Sequence, residues 1–156
     1  MAFGIVIRAL RGVPLEEVSL EELAIRSEML DIARLAEPLR GQDASLLVPL
    51  NFDAHHDTPY NRRATLLWWY FNGRGLVIHG DVVVIGSSSG DGNVPEPLRR
   101  NLLEEGCYGI RVRLRDSDWI SQDRQFGDYF TALYEALVLQ RDWQDLLIDL
   151  EVFEVQ

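Results

Sequence analysis

Between Asn61 and Gly92 the chain reads NRRATLLWWYFNGRGLVIHGDVVVIGSSSGDG: an aromatic run, a glycine turn, an apolar strand and a Gly/Ser loop in succession. Leu66, Leu67, Trp68, Trp69, Tyr70 and Phe71 are apolar almost all the way round a helix. The helix expected from Asn61 to Phe71 must therefore be covered on more than one side, by its own core or by a partner. A second copy of the chain would serve as that partner, which leaves a homo-oligomer open. Gly73 and Gly75 end the run. Leu76–Ile78 and Val82–Ile85 follow as strand material split by Gly80-Asp81, making either a tight hairpin or one bulged strand. The stretch is a folding signal, with no complete nucleophile, metal or phosphate signature in it.

The 156 residues are 47% apolar, enough to bury a core without disulfides or metals, so a single domain over residues 1–156 is expected. Cys107 is the only cysteine, which rules out an internal disulfide and any multi-cysteine metal framework, and suits a reducing cytoplasm. The opening MAFGIVIRALRG has too short an apolar run for a signal peptide. No stretch reaches the roughly 18 apolar residues that a bilayer requires. The expectation is a soluble, cytoplasmic protein without a membrane partner.

All fifteen basic residues are arginine, for which GC-rich coding is the simplest source. Without lysine, a P-loop lysine, a Schiff-base lysine and a lysine general base are excluded. The net charge of −10 is uneven: residues 114–156 hold ten acids against three arginines, −7, and the rest of the chain carries −3. Such a surface repels nucleic acid and anionic membranes and complements a basic protein partner. Solubility alone is the competing explanation.

Elsewhere, Phe3–Leu10 reads as a strand. Ser19 and Glu22 form a capping box opening a helix whose apolar spacing runs through Leu20, Leu23, Ile32 and Leu35 until Pro38 and Gly41. Leu46–Leu50 reads as a strand, Pro95 opens a helix with Leu98, Leu102 and Leu103 on its apolar side, and Asp128 caps a last helix reaching Gln140. Ile110, Val112 and Leu114 alternate with Arg111, Arg113 and Arg115, a half-buried strand with a positive outer face. The acidic alternation of Leu146–Val155 makes it the natural neighbour of that strand. This order of elements predicts an α+β (mixed α/β) fold, one compact domain with a mixed sheet and about four helices.

Asn61-x-x-Ala64-Thr65-Leu66-Leu67, a linker, then Ile78-x-Gly80-Asp81-Val82-Val83-Val84-Ile85-Gly86 resembles an uncharacterised small-domain family of phages, plasmids and actinobacteria. The likeness covers residues 46–92, about a third of the chain, with the paired tryptophans and the long acidic C-terminal part as departures. It implies a mobile-element or actinobacterial accessory protein and supplies no catalytic residues.

Three constellations carry candidate chemistry. Asp53, His55, His56 and Asp57 offer an oxygen-nitrogen set for a divalent metal, with His79 and Asp81 as further ligands; a polar surface loop is the plainer reading. Gly86, Gly90 and Gly92, with Arg99 and Arg100 one turn into the next helix, could hold an anion or nucleotide, although Asp91 opposes it and a flexible connector explains the same residues. Asp116, Asp118 and Asp123 with Trp119 and Trp143 would form an acidic interface with aromatic anchors, unless the tryptophans are buried packing residues. Cys107 reads as a small buried residue.

The leading expectation is a non-enzymatic acidic interaction protein that needs no cofactor: an inhibitor, immunity or anti-defence accessory binding a basic partner. The alternatives are a divalent-metal hydrolase or small-ligand enzyme at Asp53–Asp57 and an anion or nucleotide binder at Gly86–Gly92.

Overall fold

The computed structural model describes residues 2–25, 34–49, 58–87 and 90–156. Two compact units divide the chain, Met1–Leu103 and Glu104–Gln156. Each has its own antiparallel sheet, and the described residues hold four helices in all. The fold is α+β; its strands sort into two antiparallel sheets, where element order alone implies one mixed sheet. Among the described residues no helix is long and apolar enough to cross a membrane.

In the first unit, strands β1 (Phe3–Ile7), β2 (Glu16–Ser19), β3 (Arg34–Pro38), β4 (Ala44–Pro49) and β5 (Val82–Gly86) lie in the order β2-β1-β5-β4-β3. The apolar run of β5 has no alternation because both of its faces are buried: Val82, Val83 and Val84 are all sealed from solvent. On one face Val83 joins Val6, Val18 and Leu23 in a shared cluster. On the other, Val84 lies opposite Ile5 and Leu46, both fully buried. Each such side chain contributes roughly 1.5–3 kcal/mol.

Helix α1 (Leu20–Ile25) starts where the capping pattern places it, with the Ser19 hydroxyl accepting from the Glu22 amide at 3.1 Å. The helical spacing does not persist as far as Leu35, because Arg34–Pro38 is a strand pairing antiparallel with β4. Ladder bonds to β4 outweigh the local periodicity, and Pro38 is tolerated because β3 is an edge strand. The hairpin turns at Gly41, φ 75°, with Gln42 N donating to Leu39 O.

Helix α2 (Arg62–Asn72) is tied down by Asn61, whose side chain is fully buried. Its Oδ1 accepts from Ala64 N at 3.0 Å, while Nδ2 donates to Ile7 O at 3.0 Å and to Gly80 O at 2.9 Å. Thr65 completes the latch: its hydroxyl donates to Asn61 O and accepts from Ile78 N. These bonds explain why Leu76–Ile78 forms neither a hairpin nor a strand. Ile78 spends its amide on Thr65 and its carbonyl on the Asn61 amide, and only a single bridge, Tyr60 to His79, forms there. Helix α3 (Glu96–Leu103) follows, burying Leu98 and Leu102.

In the second unit, β6 (Tyr108–Leu114) lies between β7 (Trp119–Phe126) and β8 (Leu147–Glu154), and α4 (Tyr129–Asp142) packs against all three strands. Asp128 caps α4 by accepting from Thr131 N at 2.9 Å. Ile110 and Val112 are buried, as are Ala132, Leu133, Ala136 and Leu137 of the helix. The expected neighbour relation holds: Arg111 stands opposite Glu151 and Arg113 opposite Asp149. Arg111 Nε donates to Glu151 at 2.6 Å, and Arg113 lies 3.9 Å from Asp149. Gly109 lets the Phe153 ring lie across the strand, since a Cβ there would stand 2.8 Å from that ring.

Candidate interaction surface

Two turns of the second unit meet at one end. The β6–β7 turn, residues 115–118, and the α4–β8 turn, residues 143–146, are joined by a hydrogen bond from Arg115 N to Leu146 O at 3.1 Å. The first turn is tight: Ser117 N donates to Leu114 O, the Ser117 hydroxyl accepts from Leu114 N, and Asp116 takes the left-handed conformation at φ 64°. Aspartate tolerates that region better than most residues, and here it points the chain's acidic character into solvent.

This end brings together Asp116, Asp118, Trp119 and Trp143, four of the five residues expected to form an interface. Asp123 lies farther along β7, beyond the Ser121 that pairs with Arg111, and is not part of it. The sequence reading missed Leu146 and Ile148, which are 60% and 55% exposed beside the second turn. The available signal was in Leu146-Leu147-Ile148, three apolar residues in a row where a half-buried strand alternates. The bulge between Arg113 and Leu114 leaves Ile148 without a register partner on β6.

The tryptophans differ in what holds them. Trp119 is 37% exposed, and the guanidiniums of Arg111 and Arg113 lie 4.8 and 5.5 Å from its ring centroid. It is clamped on the sheet face opposite its buried row by cation–π contacts. Trp143, also 37% exposed, follows α4, where its amide closes the helix on Leu139 O and its carbonyl accepts from Leu146 and Leu147.

The acids of this unit sort by use. Glu151 and Asp149 pair with Arg111 and Arg113, Asp128 caps α4 and Asp142 contacts Arg141. The carboxylates of Asp116, Asp118, Asp123 and Asp145 enter no ion pair or hydrogen bond among the described residues. With twelve acids against five arginines the unit carries −7, the larger part of the chain's −10.

The other candidates have structural employment or lie elsewhere. Asp53, His55, His56 and Asp57 lie outside the described residues, and no metal-binding group of His, Cys, Asp or Glu occurs among the described ones. Asp81 accepts from Ala9 N at 2.7 Å and pairs with Arg8 at 3.0 Å; His79 Nδ1 lies 3.0 Å from Thr58 O, which makes it the protonated nitrogen. Gly86 is required by backbone proximity, since a Cβ would stand 2.2 Å from Asn93 O. Gly92, at φ 82°, and the exposed Gly90 belong to the turn before α3. In that turn, hydrogen bonds from the backbone and side chain of Asn93 hold the Asp91 carboxyl below its usual range. Arg99 gives two bonds to Glu17, 2.6 and 3.1 Å, and lies 3.6 Å from Glu96, so an anion there competes with carboxylates already in place. Arg100, on the same helix, is half-buried. Cys107 is half-exposed rather than buried, and its thiol donates to Gln125 Oε1 at 3.1 Å.

Compared with protein-family models, curated proteins and solved structures, the chain matches none.

Proposed function

We propose that the chain is a non-enzymatic binding protein whose second unit docks a basic protein through the end carrying the β6–β7 and α4–β8 turns. One observation carries this reading: among the described residues, Asp116, Asp118 and Asp145 have no ion-pair partner, and they stand beside the exposed apolar groups Trp143, Leu146 and Ile148. Carboxylates left open by the fold supply long-range attraction and orientation, while desolvation of the apolar groups supplies short-range affinity. An inhibitor, immunity or anti-defence accessory blocking a basic surface would work by this division of labour.

Affinity capture from the native host, run at low and high salt with wild type and with the D116N/D118N/D145N variant, tests it. The expected result is a basic protein retained by wild type at low salt, released at high salt and not retained by the variant. Equal retention by the variant, or retention indifferent to salt, would sink the proposal.

A further inference from the structure

The sheet of the second unit has the order β7-β6-β8, so β7 has a strand neighbour on one side only. Which of its backbone groups face the open side follows from the register. Val155 N donates to Cys107 O, and the ladder beyond pairs Glu154 with Tyr108 through to Asp149 with Arg113. Bonding alternates along an antiparallel pair, so Arg111 and Arg113 turn their N–H and C=O groups to β8, while Tyr108 and Val112 turn theirs to β7. The bond from Arg115 N to Leu146 O keeps the same alternation. On β7, Phe126 and Ile120 stand opposite Tyr108 and Val112 and meet those groups. Trp119 and Ser121 stand opposite Arg113 and Arg111, so their own N–H and C=O groups point away from the sheet.

All three residues of the stretch Trp119-Ile120-Ser121 are exposed. Folded proteins commonly blunt such an edge with charged side chains, proline or a bulge. Here the blunting stands to one side: the register shift opposite Gly109 and Arg111 bends β7 after Ser121, and the stretch itself carries neither charge nor proline. Acids flank it instead. Asp116 and Asp118 precede it and Asp123 follows it, and none of the three carboxylates enters an ion pair or hydrogen bond among the described residues. Arg124, the one base of β7, lies 3.8 Å from Glu135.

We infer that β7 takes up an extended basic segment of the partner as an added strand along Trp119–Ser121; this rests on the docking proposed above and gives the form in which the partner is held. Backbone bonds to the open groups supply the hold, as in other strand additions. Basic side chains at the two ends of the segment meet Asp118 and Asp123, which an extended chain separates by at most roughly 16 Å. Between them the segment is uncharged, and its alternate side chains lie against Trp119 on one face and Ile120 on the other, 37% and 45% exposed. A second copy of the chain is the poorer occupant, because pairing β7 with β7 sets two units of −7 against each other.

The test is an amide-resolved NMR titration of the full chain, at low and high salt, with three acetylated and amidated synthetic peptides. The first alternates valine and threonine between terminal arginines. The second is the same peptide N-methylated throughout, which keeps its charges and side chains and removes its backbone donors. The third carries glutamate in place of arginine. The first is expected to bind saturably and more weakly at high salt, shifting the amides of Trp119, Ile120 and Ser121 and slowing hydrogen exchange at Trp119 and Ser121. The N-methylated peptide is expected to bind about tenfold or more weakly, and the glutamate peptide not at all. D118N/D123N should weaken the first peptide by about threefold or more. Equal binding of the N-methylated peptide, or shifts confined to residues 143–148, overturns strand addition and leaves docking at the acidic turns standing. If neither basic peptide binds, strand addition is overturned, and docking is decided separately by capture with the D116N/D118N/D145N variant, which leaves the residues of β7 unaltered.

Discussion

Asn61 and Asp116 show the two ways this chain uses a conspicuous polar side chain. In the first unit, Asn61 and Thr65 direct their polar atoms into the protein's own backbone and Asp81 divides its oxygens between Ala9 N and the Arg8 guanidinium, holding α2 and the segment before β5 against the end of β1. In the second, Asp116, Asp118 and Asp145 take no ion pair or hydrogen bond among the described residues. The difference teaches where function can reside. A polar group whose bonding capacity the fold consumes is there for stability; one the fold leaves open is available to another molecule.

The largest test of this contrast is Asn61→Ala. It removes the helix cap and leaves the buried carbonyls of Ile7 and Gly80 without their donor. The expected loss is about 3 kcal/mol, read as a lowered denaturation midpoint with an unchanged slope. A loss under about 1 kcal/mol would mean that water or a shifted neighbour replaces the amide, and the contrast would blur.

A middle case sharpens the same comparison. Glu151 is bonded to Arg111 but is about 41% exposed, so its pair is screened by solvent. Glu151→Gln should cost less than about 1 kcal/mol, and less again at high salt. Replacing the open carboxylates of the tip should cost least of all, within about 0.5 kcal/mol, because no described contact is lost.

The motif Asn61-x-x-Ala64-Thr65 followed by Gly80-Asp81 turns out to be the latch itself. Its residues make the bonds that fix α2, and Asp81 holds β1 through Ala9 and Arg8. Local chemistry of this kind was legible in the sequence. Ser19 with Glu22 and Asp128 before the last helix act as caps where they were expected, and Asn61, expected as the first residue of the aromatic helix, proves to be its cap. The pairing of the arginine strand with the acidic strand was legible too, because alternating opposite charges specify both a partner and a register.

What escaped was set by distant parts of the chain. β7 reads WISQDRQF, with seven of its eight residues exposed or half-exposed, so an edge strand of this kind shows no burial alternation to detect. β3 carries helical spacing into a ladder imposed by β4. At the candidate interface, Trp119 and Trp143 were visible as residues, yet the hydrogen bond uniting their turns spans Arg115 to Leu146.

The measurement that tests the central claim most directly is made on the D116N/D118N/D145N variant: thermal stability and binding to the captured basic partner, determined on the same preparation. The account predicts unchanged Tm with binding lost. Unchanged binding, or a large fall in Tm, would show that these carboxylates serve the fold rather than a partner, and would contradict it.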